Sequence, residues 1–106
     1  MGETPTFSLA FQTFLREAPE FSDAWMQMAQ QLDDASTLED KTKALAYLAV
    51  LAATGLTGGV PFHAAQARAA GATREEIISA VLLGLPAAGN KVIQSLPAAL
   101  EAFDAA

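Results

Sequence analysis

The side chain best suited to proton transfer in this sequence is His63, the single histidine of the chain. An imidazole titrates near neutral pH and can therefore act as a general acid or base. Gln66 follows on the same face of the same predicted helix, where its amide can orient the imidazole. Tyr47 offers a hydroxyl on the preceding predicted helix. The alternative interpretation is structural: a histidine packed in a core or interface, and a tyrosine that packs with a polar tip.

A glycine-containing turn, Thr57-Gly58-Gly59-Val60-Pro61, precedes the histidine. It leads into a helix start, where free backbone N–H groups can hold a carboxylate and where Gly58 and Gly59 allow a ligand close to the backbone. Such a helix start would also favour a small anionic ligand and keep His63 mostly neutral at pH 7. An ordinary turn between two helices explains the same residues. The G-x-x-x-x-G-K-[ST] pattern of a phosphate-binding loop is absent.

One histidine and no cysteine make a poor ligand set for a transition metal, so we expect no metal site and no cofactor. The lack of cysteine also excludes disulfides and a redox thiol.

Hydrophobic spacing predicts helices along the whole chain and no strand, which indicates an all-α fold, a compact bundle of about six helices. Pro86, Gly89 and Pro97 divide the C-terminal part into short helices. The predicted segments are a helix over Thr6–Ala18, a second capped by Ser22, a third from a Ser36/Glu39 capping box to Gly55, a fourth from Pro61 to Gly71, a fifth from a Thr73/Glu76 capping box to Leu85, and short helices over Ala88–Ser95 and Pro97–Phe103.

The chain is rich in apolar residues for its size, at 52% of 106 residues. Its length indicates one domain over residues 1–106. The stretch Ala44–Ala53 is apolar on every face, yet it is too short to span a bilayer. A helix of that kind must be surrounded, and so small a chain cannot bury it alone. We therefore expect a homo-oligomer that assembles through apolar helices.

A net charge of −6 and the absence of a basic stripe disfavour nucleic acid and anionic membrane surfaces as partners. The first residues, Met1–Pro5, have neither the positive nor the apolar region of a signal peptide, so the expected location is the cytoplasm.

The stretch from Asp40 to Ala80 resembles the carboxymuconolactone decarboxylase and alkylhydroperoxidase-D-like family. Lys41-Thr42-Lys43 is similar to the start of the family's long helix, Gly55 to the glycine that follows it, and His63 to its histidine. Gly71–Ile77 is similar to its Gly-Ala-Thr-Arg-Glu-Glu-Ile cap. The resemblance covers residues from about 20 to 96. It implies the helical fold of that family and assembly into a homotrimer or homohexamer.

The chain departs from the peroxidase-type members of that family at four positions. Leu56 and Gly59 occupy the positions of the cysteine pair, Ala44 that of the glutamate, and Gly58 that of a second histidine. Thiol-dependent peroxidase activity is therefore not expected.

The decarboxylase branch also lacks the cysteine pair. The resemblance to this branch implies that the protein, if it is an enzyme, is a lyase. It would bind or convert a small carboxylated or lactone metabolite, with His63 as acid or base. A non-catalytic ligand-binding or structural oligomer that has lost the family's active site is the alternative, and a partner-binding helical adaptor is a third hypothesis.

Overall fold

The computed structural model describes residues 7–106, and all regular structure in that range is helical. Six helices have eight residues or more, while α6 and α7 are four residues each. This confirms the predicted all-α fold. The helices are α1 (Leu9–Glu17), α2 (Pro19–Ala35), α3 (Asp40–Thr54), α4 (Val60–Ala69), α5 (Arg74–Val81), α6 (Leu85–Ala88), α7 (Asn90–Ile93) and α8 (Leu96–Ala105), with a 3₁₀ turn at Thr57–Gly59.

The core is formed by one face of α3 against α4, α5, α7 and α8. Leu48 of α3, Val60 of α4 and Ile77 of α5 are fully buried. Alanines fill much of the remaining core, and their small side chains let α3 and α4 approach closely. Each fully buried Leu, Ile or Val contributes about 1.5–3 kcal/mol by leaving water. This packing holds the start of α4, and with it His63, against α3.

Two predicted helix ends are present as expected. Thr73 accepts a hydrogen bond from the Glu76 backbone N–H at 3.1 Å, and the Glu76 carboxylate accepts one from the Thr73 N–H at 2.9 Å, which completes a capping box at the start of α5. Gly55 ends α3 in the left-handed conformation, at φ 77°. Glu76 also pairs with Lys41 at 3.1 Å, so the starts of α5 and α3 are tied together.

The prediction that Ser22 caps the second helix is wrong. Helix α2 begins at Pro19, and Ser22 lies buried in its first turn with its hydroxyl donating to the Pro19 carbonyl oxygen at 3.1 Å. Proline suits the first helical position because its φ is already helical and its missing N–H would have no partner there.

The predicted Ser36/Glu39 capping box is also not formed. Glu39 is the residue before α3, and the Ser36 hydroxyl accepts from the Leu38 N–H at 3.2 Å. Helix α5 ends at Val81, before the predicted Leu85. The segment predicted as one helix over Ala88–Ser95 begins at the last residue of α6 and contains the four-residue α7. Thr6, the predicted start of the first helix, lies outside the described residues. Within them, Ser8 caps α1 by accepting a hydrogen bond from the Phe11 N–H at 3.1 Å.

A large apolar surface lies uncovered on the single chain. Ser22 is the one buried residue of α2, whereas Phe21 is 73% and Leu32 63% exposed. The outer face of α3, at Tyr47 and Val50, is exposed as well. The single chain therefore does not surround α3 on every face. Within residues 7–106, no helix combines the length and apolar character needed to cross a membrane.

Candidate functional site

His63 lies in the first turns of α4, partly buried between rings from two helices. The Tyr47 ring of α3 lies against the imidazole, with 4.6 Å between ring centroids and 61° between planes. The Phe62 ring lies edge-on to it at 5.0 Å and 86°. The packing of α3 on α4 thus builds a cluster of aromatic rings around the one histidine.

Gln66 orients the imidazole as the sequence predicts. Its side-chain oxygen lies 3.2 Å from His63 Nδ1, one helical turn along the same face. In the tautomer that pairs with this oxygen, Nδ1 carries the proton and Nε2 keeps a lone pair. Among residues 7–106, no group hydrogen-bonds Nε2. The histidine therefore keeps one ring nitrogen for proton exchange with a ligand.

Burial lowers the pKa of His63 below its ordinary value of 6.5, and the hydrogen bond with Gln66 raises it less strongly. A partly buried imidazole loses hydration on protonation, which disfavours the charged form. The sequence predicts a neutral histidine because of the helix start. The structure identifies burial as the main cause of the lowered pKa.

The structure brings Tyr47, His63 and Gln66 together and places beside them two rings that are not among the predicted site residues. Phe62 touches the imidazole directly, and Phe7 stacks on Phe62 with 4.8 Å between ring centroids. Phe62 could have been suspected from its position beside His63. Phe7 could not, because its apolar spacing predicts only that one face of a helix is buried, not which helix it meets.

The turn before α4 uses its backbone in an internal 3₁₀ structure. The Gly59 N–H donates to the Leu56 carbonyl oxygen and the Val60 N–H to that of Thr57, while Pro61 has no N–H. A side chain on Gly58 would meet Ser8, and one on Gly59 would meet Leu51. These contacts would have ordinary van der Waals lengths of 3.4 Å and 3.6 Å, so a Cβ could be accommodated at either glycine. Their role in ligand binding stays a prediction.

The positions of the family's other site groups hold no ionisable side chain. Ala44 is buried in α3, one turn before Tyr47, while Leu56 immediately precedes the 3₁₀ turn and Gly59 is its last residue. Within residues 7–106, no three His, Cys, Asp or Glu side chains group closely enough to hold a metal ion. The chemistry that this cluster can perform is proton transfer by one neutral imidazole beside a phenol.

Fold and site together define a small helical protein with a single histidine-centred aromatic cluster. The sequence profile of the Carboxymuconolactone decarboxylase family matches residues 19–104. The chain therefore belongs to the carboxymuconolactone decarboxylase family, as the resemblance implied.

A solved structure supports the assignment. The apo crystal structure of a carboxymuconolactone decarboxylase family protein from Legionella pneumophila is similar to this chain, with a TM-score of 0.74 and 28% sequence identity over 90% of this chain and 85% of the other. No curated protein matched the sequence.

Proposed function

We propose that this protein binds a small carboxylated or lactone metabolite beside His63 and that His63 moves a proton to or from it. The observation that carries the proposal is the hydrogen bond between His63 Nδ1 and Gln66, which leaves Nε2 as a free acceptor. An oriented, neutral imidazole is what general base catalysis at neutral pH needs. Membership of the family supports, as part of this proposal, a small carboxylated or lactone metabolite and, if the protein is an enzyme, a lyase.

Tyr47 supplies the second polar group of the proposed site. Its ring lies against the imidazole, and the residue is 44% exposed. A phenol hydroxyl can donate a hydrogen bond to a ligand oxygen. Its proposed role is to hold the ligand while His63 exchanges the proton.

The test is a thermal-shift screen of small carboxylates and lactones on the purified protein. A ligand that binds only the folded state raises the free energy of unfolding by RT ln(1 + [L]/Kd). We expect at least one such compound to stabilise the wild type, and His63→Gln to abolish that shift while the assembly stays intact. Gln66→Leu should weaken it, since the imidazole then loses its orienting partner. Gln27→Ala, on exposed α2, is the matched control and should behave as the wild type.

Two results would contradict the proposal. The first is a compound that stabilises His63→Gln as strongly as the wild type. The second is dissociation or unfolding of His63→Gln with no compound binding the wild type, which would show His63 to be a packing residue.

A non-catalytic oligomer is the second candidate, and the uncovered apolar surface of α2 and α3 favours it. Such a surface on a small chain is typical of contact with another subunit. We propose a homotrimer or homohexamer in either case. Turnover of a bound metabolite, measured on the same assembly, separates the enzyme from the non-catalytic oligomer.

A further inference from the structure

The start of α1 lies on the segment that carries His63. The Phe7 ring stacks on Phe62 at 4.8 Å and 29° between planes, and Phe62 in turn contacts the imidazole. A Cβ built on Gly58 would lie 3.4 Å from the Ser8 Cβ, so Ser8 sits directly on the 3₁₀ turn. Two consecutive residues thus cover the turn and the helix start from which His63 projects.

Helix α1 is only lightly anchored to the rest of the chain. None of its residues, Leu9–Glu17, is buried, and Leu9 is 75% exposed. A single residue, Ala18, joins it to α2, with φ −136° and ψ 61°, outside the helical region. Segments with few buried contacts open at low free-energy cost, and a residue between two helices can absorb the change in angle.

The family profile begins at residue 19, so α1 lies outside the matched part of the chain, whereas His63 lies within it. The rings of α1 form a continuous path. Phe7 contacts Phe11, Phe11 contacts Phe14, and Phe14 meets Trp25 of α2 edge-on at 6.2 Å. One face of α1 therefore packs along α2, and the two residues that precede α1, Phe7 and Ser8, reach α4 and the 3₁₀ turn.

We propose that α1 is a movable cover of the His63 site, which docks through Phe7 on Phe62 and Ser8 on Gly58 and opens about Ala18. Access to the imidazole then requires that this docking be released. The inference rests on the proposed function only in taking His63 as the place where a ligand binds. The opening itself can be measured with no ligand present.

A reversible crosslink tests the cover directly. The chain has no cysteine, so Ser8→Cys with Gly58→Cys would create its one possible disulfide. The separation of 3.4 Å between the two Cβ positions is close to the ~3.5–4.5 Å of native disulfides. The readout is the rate at which diethyl pyrocarbonate modifies His63, followed by mass spectrometry of the peptide that contains this single histidine. We expect the oxidised form to react on the order of tenfold more slowly than the reduced form. Equal rates in the two forms would overturn the proposal.

A pair of single substitutions gives the opposite perturbation. Phe7→Ala removes the stacked ring and should speed the modification of His63 about threefold or more. Leu9→Ala, at an exposed position of the same helix, is the control and should leave the rate unchanged. Circular dichroism and the fluorescence of Trp25 report whether each variant is folded. Equal rates for Phe7→Ala and Leu9→Ala in folded protein would refute the cover, whereas failure of the metabolite screen would refute the proposed function alone.

Discussion

Replacement of Gly55 by alanine is expected to destabilise the protein, because this glycine ends α3 at φ 77° and ψ 19°. A residue with a Cβ costs roughly 1–2 kcal/mol in the left-handed region. Alanine also restricts the unfolded chain, which offsets about 0.4–1 kcal/mol of that cost. The added Cβ would lie 3.4 Å from Lys91 Cδ, in a flexible side chain that can move aside. We therefore expect Gly55→Ala to lower the free energy of unfolding by about 1 kcal/mol.

Gly59 provides the matched control, since it is also a glycine at a helix boundary but has φ −89° and ψ −11°. A Cβ there would make ordinary contacts of 3.6 Å with the Leu51 side chain. Gly59→Ala should therefore stabilise the protein by about 0.4–1 kcal/mol through the unfolded state alone.

Thermal unfolding at one fixed protein concentration measures both variants, because the midpoint of an oligomer depends on concentration. For a chain of this size, a change of about 1 kcal/mol in the free energy of unfolding shifts the midpoint temperature by roughly 4–8 °C. We expect the midpoint to fall by this amount in Gly55→Ala and to rise by a smaller amount in Gly59→Ala. The reasoning would be refuted if the two variants moved in the same direction by similar amounts. If Gly59→Ala is stable, any loss of ligand binding in that variant must come from the site.

Two further expectations concern the oligomeric state and the stability at low pH. Light scattering at micromolar concentration should show a homotrimer or homohexamer, and Phe21→Ser with Leu32→Ser should shift it to smaller species because both side chains are largely exposed on the single chain. A stable wild-type monomer would contradict this. The pKa values of Glu76 and Asp104 are lowered, chiefly by the hydrogen bond from the Thr73 backbone and by Arg74 respectively. Their stabilising effect is therefore complete above the ordinary values of 4.5 and 3.8 and is lost as the pH falls below them towards the lowered pKa values. Glu76→Gln, which keeps an acceptor for the Thr73 N–H, should show a smaller loss of unfolding temperature in acid. An unchanged acid profile would show that the ionisation of Glu76 contributes nothing to the acid sensitivity.

Much of the helical framework was predictable from the sequence because its signals act within one helical turn. The Thr73/Glu76 capping box and the glycine end at Gly55 depend on residues only a few positions apart, and both are present as predicted. The contact of His63 with Gln66 belongs to the same class, since it follows from helical spacing alone. Where several capping residues stand close together, as around Ser22 and Ser36, the local signals compete, and the predicted helix starts were wrong.

The contacts that make His63 a candidate site were decided by the tertiary structure. Tyr47 reaches the imidazole only because α3 packs on α4 with that face outward, and Phe7 reaches Phe62 only because α1 folds back across the 3₁₀ turn. An apolar stripe specifies that a face must be covered, but the hydrophobic effect that drives its burial is non-directional and does not choose the covering element. That choice depends on the shapes of all the packed helices together, and these contacts exist only once the chain has folded.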